Sequence, residues 1–133
     1  MKKLKEPEEV STLQVLEALS DQISIDLFNT VAKNVTTSEN IIQILDITRK
    51  EYYVRSSRLL KISLIKRQDG RFSITAFGKL IYEAQLKISR AFHHSSELKM
   101  IDAVKSYAGI SANELKKLID KLIDDSEIKG LIT

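Results

Sequence analysis

Between Thr48 and Arg71 the chain carries eight basic residues against two acidic ones, Glu51 and Asp69, a local balance of +6. The full 133 residues carry only +3, because the residues before Thr48 balance at −4 and those after Arg71 at +1. A concentrated run of cations pairs with phosphate or carboxylate and releases counterions when it does so. Arginine adds a planar donor fork that matches such acceptors with two hydrogen bonds. Arg49, Lys50, Arg55, Arg58 and Lys61 form the first part of the run; Lys66, Arg67 and Arg71 form the second. Tyr53 and Ser57 follow Arg49 at four-residue intervals, which places the three on one side of a helix. A charge run of this kind also occurs as a plain solvated helix face. The elements that carry it therefore decide its meaning.

Helix starts are marked by Ser or Thr with Glu or Gln three residues on: Ser11 with Gln14, Thr36 with Glu39, Thr48 with Glu51, and Ser111 with Glu114. In such a capping box the hydroxyl accepts from an orphan amide and the Glu or Gln reaches back to the cap residue. The spacing predicts a first helix through Leu13, Leu16 and Leu19, interrupted at Ser20-Asp21, and a second with Ile23, Leu27, Phe28, Val31 and Ala32 on one face. Asn34 to Ser38 reads as polar loop. A short helix with Ile41, Ile42 and Leu45 follows, then a brief turn at Asp46-Ile47. The helix from the Thr48 cap directs Tyr52, Leu59 and Ile62 inward and leaves its basic residues outside. Asp69-Gly70 between two short alternating runs, 63–68 and 71–75, predicts a hairpin, since both central turn positions want positive φ. A long helix over Ala76 to Ala91 has apolar residues on two sides, Leu80, Ile81, Ala84, Leu86 and Ile88, and so touches more than one neighbour. His93, His94 and Ser95 interrupt it. Two further helices are expected over Ser96–Gly109 and Ser111–Ser126, with a short apolar end from Ile128.

Composition removes several function classes. With 43% hydrophobic residues the chain can bury a core. It has no cysteine, so disulfides, thiolate zinc sites and cysteine nucleophiles are absent, in keeping with a reducing compartment. There is no glycine-rich phosphate loop among only four glycines, and the two histidines have no evident nucleophile beside them. Adjacent histidines on a helix diverge by about 100° and do not share an ion, so no metal, no cofactor and no enzyme activity are expected. Glu8-Glu9 and Asp124-Asp125 read as solvated faces. No apolar run approaches the roughly 18 residues of a membrane span, and the charged N-terminus lacks a signal peptide's apolar stretch. A cytoplasmic protein is expected.

The order helix, short helix, tight turn, basic helix, hairpin, helix resembles the winged helix-turn-helix regulators of bacteria and archaea over about residues 21–88. Ile44-Leu45-Asp46-Ile47-Thr48-Arg49 looks like the turn into that family's recognition helix. Leu59-Leu60-Lys61-Ile62-Ser63-Leu64-Ile65 looks like its end and the entry to the wing, where many members have glycine at the position of Ser63. Arg67-Gln68-Asp69-Gly70-Arg71 resembles the wing tip. Ile74-Thr75-Ala76-Phe77-Gly78-Lys79 resembles the junction after the wing, with its Thr and a Gly three residues on. Lysine and isoleucine usage suggests an archaeal member.

The resemblance and the physics imply one set of expectations. The fold is mainly α with a small β-hairpin wing: a winged helix-turn-helix with additional N- and C-terminal helices. Residues 1–10 form a flexible tail, 11–91 the DNA-binding domain, and 92–133 a helical extension for dimerisation or partner docking. The function is sequence-specific binding of double-stranded DNA as a transcriptional regulator, with residues 48–62 in the major groove and the wing at 63–75 on the backbone or minor groove. The expected contacts are Thr48, Arg49, Lys50, Tyr53 and Ser57 on the recognition face, Arg55, Arg58 and Lys61 on flanking faces, and Lys66, Arg67 and Arg71 on the wing. Arg55 and Arg58 have another option, pairing with acidic residues of the first helices, and Tyr53 another as a partly buried aromatic. A homodimer through the long helix and those beyond it would set two recognition helices about one DNA turn apart; folding back onto the monomer is the alternative. A winged helix used as a protein-interaction module is the competing function, but it has no need of the basic run. RNA binding would call for more exposed aromatics than Tyr53.

Overall fold

The structure is a computed structural model that describes residues 10–133. The expected tail, with Pro7 and Glu8-Glu9, lies outside the described residues apart from Val10. Eight helices and three strands are found among the described residues. The chain divides into two compact units, the first running to Glu83 and the second comprising Ala84–Thr133.

The first unit begins with α1 (Thr12–Ala18), opened by the Ser11 capping box. Helix α2 (Gln22–Lys33) is capped by Asp21, whose carboxylate accepts from the Ser24 amide at 2.9 Å. Strand β1 (Thr36–Thr37) precedes α3 (Ser38–Leu45), and α4 (Arg49–Lys61) follows. Asp46 ends α3 in the left-handed region at φ 52°, so the chain reverses within the three residues Asp46, Ile47 and Thr48. Strands β2 (Ile65–Gln68) and β3 (Arg71–Ile74) form a hairpin around Asp69 and Gly70, at φ 52° and 75°. That pair of positive angles suits a two-residue turn matched to the strand twist. The register pairs Ile65 with Ile74 and Arg67 with Phe72.

Three sequence expectations change here. Thr36 does not cap α3: it is buried in β1, paired antiparallel with Phe72, and the cap is Thr37, whose hydroxyl accepts from the Asn40 amide. The expected loop at Asn34 to Ser38 therefore contains a strand, and the sheet order is β1-β3-β2. Two residues are too few to show alternation, and the strand exists only because β3 offers it an edge. In α1, Val15 and Ala18 are buried while Leu13 and Leu16 are exposed, so the leucines of that helix do not form its inward side.

The core of this unit joins Leu27, Phe28 and Val31 of α2 and Ile41 of α3 to Tyr52 and Leu59 of α4 and to Leu64, Ile65 and Phe72 of the hairpin. Fully burying one such side chain contributes about 1.5–3 kcal/mol, so the cluster holds α4 and the hairpin in one register. Tyr52 also ties α4 to the start of α3 through its hydroxyl, 2.6 Å from Ser38 Oγ. Ser63, at the exit of α4, sits in the left-handed region at φ 63°. Only glycine enters that region without cost. The Thr75 hydroxyl donates to the Ser63 carbonyl and accepts from the Gly78 amide at 2.8 Å. It thereby clamps the first turn of α5 (Ala76–His93) to the start of the hairpin.

The second unit contains the C-terminal part of α5 with α6 (Ser95–Lys105), α7 (Ala112–Leu122) and α8 (Ser126–Ile132). Ile101, Ile119, Ile123 and Ile128 form its core. The division at residue 83/84 precedes the expected boundary at 91/92. Lys87 pairs with Glu127 at 2.7 Å, and Arg90 reaches Asp125 at 3.0 Å and Glu127 at 2.7 Å, which ties the end of α5 to α8. The helix expected over Ser111–Ser126 ends at Leu122, and the short apolar end expected from Ile128 is helical as α8: Asp125 caps it, accepting from the Glu127 and Ile128 amides, and is no solvated face. The Ile128 amide, opposed by desolvation and joined by the Arg90 charge, holds the Asp125 carboxyl below its ordinary range. The break at His93-His94 falls where expected, with α5 ending at His93 and α6 starting after His94, which makes no side-chain capping bond.

Candidate nucleic-acid interface

The N-terminus of α4 is a complete capping box. The Glu51 amide donates to Thr48 Oγ1 at 3.1 Å, and the Thr48 amide donates to Glu51 Oε1 at 3.0 Å. Hydrogen bonds from Thr48 hold the Glu51 carboxyl below its usual range, against the opposing effect of desolvation. Thr48, expected as a contact, thus uses its hydroxyl inside the protein, while Arg49 and Lys50 leave the first turn exposed. Helical periodicity then sorts the rest. Tyr52, Ser56 and Leu59 are buried on one side, and Lys50, Tyr53, Val54, Ser57, Arg58 and Lys61 are exposed on the other. Tyr53 is 58% exposed, with its ring edge-on to Tyr52 at 5.3 Å between centroids. It leans on the core without entering it.

Arg55 takes the protein-internal option. Its Nε donates to Asp21 Oδ1 at 2.8 Å and its Nη1 to the Glu51 carbonyl at 3.2 Å. Burial pushes the Asp21 carboxyl up, but the hydrogen bonds from Arg55 and Ser24 prevail and hold it at about 2. The guanidinium is thereby committed to joining α2 and α4. Arg58 and Lys61 line a groove of about 430 Å³ with Val10, Gln14, Glu17, Ser20 and Ile62, so they flank the exposed face on the α1 side.

On the hairpin, Lys66, Arg67 and Arg71 are all exposed. The Arg67 guanidinium lies 5.7 Å from the centroid of the Phe72 ring, its cross-strand neighbour. Such a cation–π contact orients the group and leaves its charge intact. Of the basic residues singled out from sequence, all but Arg55 thus stand outside the core without an acidic partner within ion-pair distance among the described residues. Val54 joins this face without having been expected there. The signal that finds it is its place four residues after Lys50 and three before Ser57, and reasoning confined to polar side chains passes over it.

His93 and His94 pack edge to face at 5.2 Å, and His94 Nε2 lies 3.5 Å from Asp124 Oδ1. Among the described residues no three His, Cys, Asp or Glu side chains cluster as a metal site, and no helix is long and apolar enough to cross a membrane. Comparison with protein-family models, with curated proteins and with solved structures finds no match to the chain.

Proposed function

We propose that the first unit is a winged helix-turn-helix that binds double-stranded DNA, and that the chain is a transcriptional regulator. In this reading α3 and α4 are the helix-turn-helix, and the β2–β3 hairpin is the wing. The observation that carries it is the sorting of α4: its apolar side is consumed by the core, and its exposed side collects Arg49, Lys50, Tyr53, Ser57 and Lys61. A second exposed set, Lys66, Arg67 and Arg71, stands on the adjoining hairpin. A helix of 13 residues is about 20 Å long and fits the major groove, which is about 12 Å wide. Arg49 and Lys50 in its first turn would meet base edges, with Arg58, Lys61 and the hairpin cations on phosphates.

Fluorescence anisotropy with a labelled random duplex of about 30 base pairs tests this at two salt concentrations. Binding should weaken steeply with salt. An Arg49→Ala/Lys50→Ala/Arg67→Ala variant should bind more weakly, with a slope shallower by about 0.9 for the phosphate that Arg67 no longer neutralises. A folded protein that fails to bind at low salt overturns the proposal and favours a protein-interaction module.

The same reading takes a second copy of the chain as partner through α5. Ile88 and Phe92, both in the second unit, are 67% and 79% exposed and lie four residues apart along this helix. A two-fold interface would use this same patch on both copies. Size-exclusion chromatography with light scattering should report a dimer at high micromolar concentration; a monomer there removes this partner.

A further inference from the structure

Val54 has no use inside the fold. It is 49% exposed, and it belongs neither to the buried core of its unit nor to the partly buried side chains packed on that core. As a β-branched residue it is a poor choice for an exposed helix position on grounds of propensity. Its place is the middle of the outer face of α4, with Lys50 one turn before it, Ser57 one turn after it and Tyr53 beside it. It is the one apolar aliphatic side chain in a face otherwise made of cations, hydroxyls and an aromatic.

We infer that Val54 is a specificity-determining residue that reads a thymine through its C5 methyl group. The inference rests on the DNA-binding reading above. In the major groove the thymine methyl is the apolar mark of a base edge, and it is recognised by apolar contact. A cytosine in its place turns an amino donor toward two valine methyls and leaves that donor without a partner, which carries a desolvation penalty. Arg49 and Lys50, one turn nearer the N-terminus, offer the donors that match guanine O6 and N7. The face therefore favours a site in which a guanine and a thymine lie within the span of about one helix turn.

The test begins with duplexes enriched by the full-length protein from a random pool. Each thymine of the enriched duplex is then replaced in turn by deoxyuridine, which removes the methyl and nothing else. One thymine should stand out, its replacement weakening binding about four-fold, the equivalent of the ~0.8 kcal/mol of one buried methyl-sized group. With Val54→Ala that penalty should vanish, because the variant should bind the thymine duplex more weakly and the deoxyuridine duplex unchanged. Val54→Ala replaces an exposed residue by a better helix former, and its circular dichroism should match the parent. An equal deoxyuridine penalty in protein and variant, or no penalty at any thymine, overturns the role of Val54 while salt-dependent duplex binding leaves the broader reading standing. A folded protein that retains no duplex at low salt overturns both.

Discussion

Replacing Gly78 by alanine should destabilise the first unit although it puts a better helix former into a helix. A Cβ on Gly78 would lie far inside contact distance of the Leu64 carbonyl oxygen and 2.8 Å from Ile74 Cγ1. The obstacle is backbone at the start of the hairpin, held by the Thr75 hydroxyl and by the Thr75 amide, which donates to Leu64 O at 3.2 Å. It cannot swing aside as a side-chain tip would. Overpacking of this kind costs about 1–3 kcal/mol, and a rigid backbone obstacle belongs at the upper end. The helix propensity of alanine over glycine returns at most about 1 kcal/mol. The net loss is then about 2 kcal/mol, or roughly 8–16 °C in Tm for a unit of this size. Gly130→Ala is the matched control, since a Cβ there meets nothing within 4 Å in a helix. It should be neutral or stabilising, by up to about 1 kcal/mol. Urea and thermal unfolding followed by circular dichroism measure both. A neutral Gly78→Ala would refute the close seating of the first turn of α5 on the start of the hairpin.

Three further outcomes are expected. Acid should remove the stabilisation from the Asp21–Arg55 pair: the carboxyl sits at about 2 in the folded protein against 3.8 ordinarily, so its contribution is complete above about pH 4 and is lost as pH falls toward 2. With the Asp21 side chain 36% exposed, screening reduces it to about 1 kcal/mol, and Asp21→Asn should flatten that part of a stability–pH profile. Ser63→Gly should stabilise by about 0.5–1 kcal/mol in urea unfolding, because the left-handed backbone at φ 63° favours glycine. Arg55→Ala should lower stability and leave the salt slope of duplex binding unchanged, whereas Lys61→Ala should lower the slope by about 0.9; equal slope changes would contradict the assignment of Arg55 to Asp21.

What the sequence determined about this protein is the set of features whose causes lie within a few residues. The caps at Ser11, Thr48 and Ser111, the left-handed Asp69-Gly70 turn and the break at His93-His94 are local hydrogen-bond and dihedral preferences, and all are present. The exposed side of α4 was legible for the same reason, since helical periodicity separates Lys50, Tyr53 and Ser57 from Tyr52 and Leu59, and Arg49 is exposed as the first residue of the helix. The tertiary structure decided whatever depends on a partner distant in the chain. Thr36 is a strand residue because Phe72 lies beside it, a separation no local pattern records. Asp125 turned from an expected solvated acid into a helix cap gripped by Arg90, thirty-five positions earlier. Arg55 and Arg58 are the same residue type three positions apart, and only the position of Asp21 across the α2–α4 contact commits the first to the protein and leaves the second outside. Charge pairing depends on distance in space, and that distance exists only once the core has drawn the helices together.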